Sequence, residues 1–543
     1  MTPAFPSVSI VIVGPQGCSN AARLAGAIQS ARAQDVPIAE LIAVGCLDDV
    51  AASAAAPDTA PRLRILSEAF RNRAAACNAA LREAAGEFML FVFNDAGLVT
   101  LRQSAARTML LAAARHSATT AASERFSAGM VYADYERVEP DGRRREIHLL
   151  DWHPGRLRDT FDFGRAILFH TAALRDVGGF DESYDAADFY DLRLRLLEKY
   201  RPVHVANRFA GSLYTLAAPA KAHNVFDYLL AGKPAQLEME RACTAHLKRT
   251  GAYLAPGAHL RRVTYSPQEE SRFAECGECL ASVVIPVYQR PGFIGRAIES
   301  VQAQTQRRVE AIVVVNGGRD DPTAAEVGRY MPGGDRYQPA APPVSLIVLD
   351  VNNIGLCLNT GIAAARGKYY VQLDSDDRLK PDAVEKLLAI FDSDPAIGMV
   401  IGSYEVWTLN EQTGALARNT EIPVVTHDEW TADNGRNNLL RINGAGAPRA
   451  AHIKLIRELG GFGLNDTPHS RNYGEDYDLV LRLSEHYAIG RVWDPIYEVI
   501  RHSGGTDHAI DQATIDRNDE AKDHMRLEAL ERRRRLNAND QRQ

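Results

Sequence analysis

Short β-branched runs alternate with stretches of helical character along the whole chain. Val8-Ser-Ile-Val-Ile-Val13 is apolar at nearly every position, the pattern of a parallel strand buried on both faces. A helix over Ala21–Arg32 follows it. Ala281-Ser-Val-Val-Ile-Pro-Val-Tyr288 repeats the strand and is followed by a predicted helix over Phe293–Gln304. Such alternation predicts βαβ units, and so an α/β fold with helices on both faces of a parallel sheet.

The repeat extends further. Asn72-Arg-Ala-Ala-Ala-Cys-Asn78 and Gly86 to Asp95 lie over Asn353-Ile-Gly-Leu-Cys-Leu-Asn359 and Gly367 to Asp376 at a constant offset of 281 (353 − 72 and 376 − 95). Gly178-Gly-Phe180 with Tyr190-Asp-Leu-Arg matches Gly460-Gly-Phe462 with Tyr477-Asp-Leu-Val. Three ordered matches predict a duplicated domain, not a small solenoid unit. The expected layout is one domain over 1–222, a helical connector over 223–275 with helices at Val225–Leu230 and Ala235–Thr250, and a second domain over 276–514. A charged helix over 515–543 contains Arg532-Arg-Arg-Arg535. A solvated surface helix is the preferred reading of that tail, and a grip on anionic lipid the alternative.

Composition narrows the classes. The 543 residues carry 62 Lys+Arg against 69 Asp+Glu, a net charge of −7, which excludes a protein built to coat nucleic acid. The most apolar short run, Phe88 to Phe93, falls far short of the roughly 20 residues that cross a bilayer. The start of the sequence has no signal-peptide pattern. Seven cysteines form no disulfide framework, and Cys276-Gly-Glu-Cys279 is a lone pair of thiols. These features read as a cytoplasmic protein with peripheral membrane contact at most.

The strongest local signal is Tyr369-Tyr-Val-Gln-Leu-Asp-Ser-Asp-Asp377, an apolar strand running into three carboxylates. Crowded acids need a neutralising partner, and the carboxyl ends of parallel strands are where α/β proteins bind ligands. Spaced Asp-x-Asp suits a hard divalent ion such as Mn²⁺ or Mg²⁺. The competing reading has Asp376 or Asp377 capping a helix near Lys380-Pro381. Downstream, Tyr473-Gly-Glu-Asp476 leads into an amphipathic helix, and Arg501-His-Ser-Gly-Gly505 offers an imidazole.

These elements, in order with Val283-Val-Ile-Pro-Val-Tyr288, Ile312-Val-Val-Val-Asn-Gly-Gly318, Asn353-Ile-Gly355 and Gly460-Gly-Phe462, resemble glycosyltransferase family 2, the inverting enzymes of the GT-A fold. The resemblance covers about 220 residues of the second copy. It implies two GT-A (nucleotide-diphospho-sugar transferase, Rossmann-like) domains in tandem, the first degenerate. It also implies a nucleotide-diphosphate sugar donor and a glycan or glycolipid acceptor. Pro286, Tyr288, Asn316 and Asn353 would bind the donor, with Asp374 near the ribose. Asp376 and His502 would hold the metal, Asp476 would be the base, and Glu475 would meet the acceptor. The sequence departs from the family at Val315-Asn316, where relatives carry an acidic pair.

In the first copy Asp95 keeps the metal-ligand position, but Phe93 stands for Asp374 and Ala96 for Asp377. Aligning Asp191 with Asp478 sets Asp188 against Glu475 and Phe189 against Asp476, unless the register slips by one. Where His502 stands, this copy reads Gly211-Ser-Leu-Tyr-Thr215. The expectation is one working transferase site in the second copy. The alternatives are a bifunctional polysaccharide synthase or a non-catalytic glycan- or nucleotide-binding scaffold.

Overall fold

The computed structural model describes residues 5–14, 21–45, 61–66, 69–119, 128–207, 211–218, 232–274, 279–442, 446–466, 472–503 and 511–540. The chain folds as two units, Met1–Thr250 and Gly251–Gln543. The first contains β1 (Val8–Val13), β2 (Ile38–Val44), β3 (Leu63–Leu66), β4 (Phe88–Phe93), β5 (Leu98–Leu101), β6 (Ala128–Ala133), β7 (Tyr135–Val138), β8 (Arg144–Ile147), β9 (Ala166–His170), β10 (Arg201–Val205) and β11 (Tyr214–Ala217). The second contains β12 (Ala281–Val287), β13 (Val309–Val315), β14 (Val344–Val348), β15 (Tyr369–Gln372), β16 (Arg378–Leu379), β17 (Ile397–Leu409), β18 (Leu416–Arg418), β19 (Arg449–His452) and β20 (Ala488–Arg501).

The main sheet of the first unit runs β3-β2-β1-β4-β9-β6-β10, and the second repeats that order as β14-β13-β12-β15-β19-β17-β20. In each, one strand is antiparallel to both neighbours, β9 in the first and β19 in the second. The continuous apolar runs follow from burial on both faces. Val8, Ile10 and Ile12 enter one core, and Val11 and Val13 enter the other. On β12, Val283, Ile285 and Val287 fill one core. On the opposite face Val284 meets Gly361, where a Cβ would stand 2.4 Å from a Val284 methyl, so the helix Ile354–Ala364 approaches the sheet closely only with glycine there.

Buried polar groups are duplicated too. Ser9 donates to Glu40 at 2.9 Å and accepts from the Gly86 N–H. Ser282 donates to Glu310 at 2.6 Å and accepts from the Gly367 N–H. Asn78 and Asn359 each exchange two hydrogen bonds with the backbone of a Gly-Gly-Phe phenylalanine, Phe180 and Phe462. Each satisfied pair ties distant segments together, because an unpaired buried amide is costly.

The stretch expected to join the domains is divided between the units. The helix Lys233–Arg249 belongs to the first, where His246 and Arg249 hold Glu198. Residues 251–274 belong to the second, where the Leu254 backbone exchanges two hydrogen bonds with the Asn437 side chain. The expected helix Val225–Leu230 and Cys276 lie outside the described residues.

The C-terminal helix is a correction. Gln512–Asp540 is not a solvated tail: Arg526 and Arg533 are fully buried. Arg533 donates to the Arg436 carbonyl and the Ser484 hydroxyl, Arg526 donates to the Ile442 carbonyl, and Arg532 pairs with Glu485. Guanidiniums can enter a core when carbonyls and a carboxylate receive their protons. No helix of the described residues is long and apolar enough to cross a membrane.

Candidate active site

The carboxyl ends of β12, β13 and β15 lie side by side, since these strands are parallel neighbours. Pro286 is on β12, and Tyr288, just beyond it, is 44% exposed. Asn316, just beyond β13, is buried; its N–H donates to the Val287 carbonyl at 3.0 Å. Its Oδ1 is buried without a hydrogen-bond partner among the described residues, and its Nδ2 faces Asn352 Oδ1 at 3.4 Å.

Asn353 is used by the fold. As N-cap of the helix Ile354–Ala364 it accepts from the Leu356 N–H at 2.9 Å and donates to the Leu464 carbonyl at 3.1 Å. The neighbouring Asn352, which the motif reading passed over, is exposed and accepts from Asn316 and Asn472.

The three acids after β15 have separate environments. Asp374 takes the amide of Gln372 at 3.2 Å, and its own N–H donates to the Tyr497 hydroxyl. Asp376 Oδ2 lies 3.0 Å from His502 Nε2 and accepts from the Arg290 guanidinium. Asp377 is buried and accepts from the Ile500 N–H at 2.8 Å. Burial pushes its carboxyl well up, and the charges of Asp374 and Asp376 push it further. Neither Asp376 nor Asp377 caps a helix, because the next one, Ala383–Ser393, begins beyond Asp382. The long β20 brings Tyr497 and Ile500 beside these acids and ends just before His502, whose ring lies 4.3 Å from that of Phe293.

Asp476 stands on the first turn of the helix Glu475–His486. Its Oδ2 is 3.0 Å from Arg449 Nη1. Arg449 Nε donates to Gln372 Oε1 at 3.1 Å, and Gln372 Nε2 donates to Asp374. An unbroken chain therefore runs from Asp374 through Gln372 and Arg449 to Asp476, so both ends share one site. Burial disfavours the Arg449 charge, but Asp476 and Asp374 outweigh it and raise its pKa. Glu475 is 6% exposed and lies in the interior beside Asp476. Burial first, and the Asp476 charge second, push its carboxyl up to about 7.

Gln372 and Arg449 went unread in the sequence. For Gln372 a signal was present, since a glutamine inside Tyr-Tyr-Val-Gln-Leu interrupts an otherwise apolar strand.

The corresponding edge of the first unit differs. Arg73 opens the helix Arg73–Glu83 after the Asn72 cap, where the second unit has Ile354 after Asn353. It bridges Asp95 at 2.9 Å and the buried Asp188, to which its Nε donates at 2.8 Å. The register does not slip. Arg195 holds Asp191 and the Gly179 carbonyl, as Arg482 holds Asp478 and the Gly461 carbonyl. Phe189 therefore stands where Asp476 stands, its ring 6.1 Å from that of Phe93. A cavity of about 520 Å³ remains there, bordered by Val13, Gly45, Asn72, Arg73 and Asp95.

Residues 282–457 match the family described as Glycosyl transferase family 2. An uncharacterized protein, y4gI, of Sinorhizobium fredii is 26% identical over 414 residues, covering 73% of this chain and 41% of its own. A chondroitin synthase of Escherichia coli is 25% identical over 227 residues, covering 42% of this chain and 30% of its own. The chain thus spans less than half the length of these two relatives. Among solved structures, a mannosyltransferase of Pyrobaculum calidifontis in complex with GDP-Man and Mn²⁺ is 14% identical with a TM-score of 0.32, over 57% of this chain and 84% of its own.

Proposed function

We propose that the second unit, whose residues 282–457 match Glycosyl transferase family 2, moves a sugar from a nucleoside-diphosphate donor to a hydroxyl of a glycan or other acceptor, inverting the anomeric carbon. The observation that carries this reading is the chain from Asp374 to Asp476 through Gln372 and Arg449, which ties the carboxylate read as donor-side to the one read as base. The donor set fits a divalent ion: a carboxylate oxygen of Asp376 and an imidazole nitrogen of His502 converge to 3.0 Å, with Asp374 two residues away. When bound through Asp376 and His502, such an ion supplies Lewis-acid charge to the departing diphosphate.

The protein's own residues do the rest. Asp476 accepts the proton of the attacking hydroxyl. Arg449 aims that carboxylate, and the Tyr477 N–H at 2.7 Å fixes its other oxygen. Each carboxylate oxygen retains acceptor capacity for a substrate hydroxyl. Glu475, behind the base, supports the acceptor side through Asp476. Asn316, with its unpaired buried oxygen, and the exposed Tyr288 are the donor-binding surface. Holding donor and acceptor in line supplies much of the acceleration.

The first unit serves as a ligand-binding or supporting copy without transferase activity, because Phe189 stands where the base is needed and Arg73 covers Asp95. The test is release of nucleoside diphosphate from UDP- and GDP-sugars with Mn²⁺. Asp376→Ala and Asp476→Asn abolish release while Asp95→Ala leaves it intact; full activity of Asp476→Asn would remove the base assignment.

A further inference from the structure

The turn that follows β12 is held by its backbone. Gln289 has a left-handed φ of 49° and donates its N–H to Asp321 at 2.9 Å, and the Arg290 N–H donates to the Thr323 hydroxyl at 2.9 Å. Asp321 in turn caps the helix Pro322–Gly328. The Arg290 backbone is therefore fixed, and only its half-buried side chain is left to change partner. That guanidinium donates to Asp376 Oδ2, the same oxygen that faces His502. Arg449, the guanidinium on the other side of the site, is committed to Asp476 and Gln372.

A guanidinium and a divalent ion on one carboxylate oxygen repel each other at short range, so binding the ion weakens the hold of Arg290 there. A guanidinium displaced from a carboxylate matches phosphate oxygens equally well. We propose that Arg290 is a resident counter-cation that changes partner. It holds Asp376 in the donor-free protein, yields that oxygen to the divalent ion, and moves to the phosphate oxygens of the nucleoside diphosphate, where it adds a second positive charge at the leaving group. The proposal rests on the reading of Asp376 as the metal carboxylate.

The two halves of this exchange have opposite signs, which a merely structural role would not produce. With the full-length chain, Mn²⁺ alone is titrated and free ion is followed by electron paramagnetic resonance. Arg290→Ala binds Mn²⁺ about tenfold more tightly than wild type, the scale of one charge-assisted hydrogen bond. At saturating Mn²⁺, calorimetry with UDP and with GDP gives about tenfold weaker binding in the same variant. Arg290→Lys lies between the two proteins in both measurements. Unchanged or weaker Mn²⁺ affinity in Arg290→Ala overturns the proposal, as does unchanged affinity for both nucleotides. Asp376→Asn separates the failures: if it binds Mn²⁺ as wild type does, the metal reading itself is wrong, whatever Arg290 does.

Discussion

The Arg449 guanidinium lies 3.0 Å from the Asp476 carboxylate, both half-buried, so the proposed base is held by a positive charge from β19. Two variants separate charge from geometry. Asp476→Asn keeps the shape and removes the proton acceptor, and kcat is expected to fall about 10²- to 10⁴-fold with the melting temperature near wild type. Arg449→Ala leaves Asp476 without its cation and Gln372 Oε1 with the Tyr370 hydroxyl but no guanidinium. It lowers kcat and also costs about 3 kcal/mol of stability, read by denaturant unfolding.

Glu475 gives the second unit a pH dependence of known sign. Its carboxyl titrates at about 7 in the fold, against 4.5 ordinarily. The folded chain therefore holds more protons than the unfolded chain between those values, and stability falls as pH rises through that window. Glu475→Gln removes the titration. Its advantage over wild type grows from nothing near pH 4.5 to about 1–3 kcal/mol above pH 7. Thermal unfolding of both proteins across that range checks it, and a constant gap would contradict it.

Arg73 is the counterpart of Ile354, and its removal tests its hold on Asp95 and Asp188. Arg73→Ile strips the buried Asp188 of its cation and costs about 3 kcal/mol. The variant also leaves Asp95 and Asp188 as a pair of carboxylates in need of a cation. Added Mn²⁺ is expected to restore part of the lost melting temperature in Arg73→Ile and to do nothing comparable in Arg73→Lys, which keeps the charge.

What could be read from sequence follows from burial. The strands were legible because a two-faced sheet demands unbroken apolar runs such as Val8–Val13, and the duplication because Asn78 and Asn359 serve the same Gly-Gly-Phe turn in both copies. The meeting of Asp376 and His502 was legible through the family resemblance, which set both residues in one site. Arg449 was not, since its partner Gln372 lies 77 residues away along the chain and such pairing leaves no local period. The C-terminal helix misled for the opposite reason. Arg526 and Arg533 look like solvent-facing charges until the carbonyls of Ile442 and Arg436 receive them.

Gly474 joins that helix to the turn that carries Asp476. It is the N-cap of Glu475–His486 at φ 91°, and a Cβ there would stand 2.7 Å from the Met525 methyl. Two separable penalties follow for Gly474→Ala. The left-handed backbone costs an alanine about 1–2 kcal/mol, and the contact with Met525 forces either the methionine or the Glu475–Asp476 turn to shift. Methionine is flexible, and Lys522 beside it is engaged over the Tyr473 ring at 4.4 Å, so part of the displacement reaches the turn. Gly474→Ala is therefore expected to lose both stability and kcat, the latter because a misplaced base forfeits alignment with the acceptor hydroxyl. Adding Met525→Ala relieves the steric part alone. In the double variant kcat recovers more than the melting temperature does, since the backbone penalty and the methionine's own lost packing remain. If the double variant regained neither, the C-terminal helix would have no part in placing Asp476.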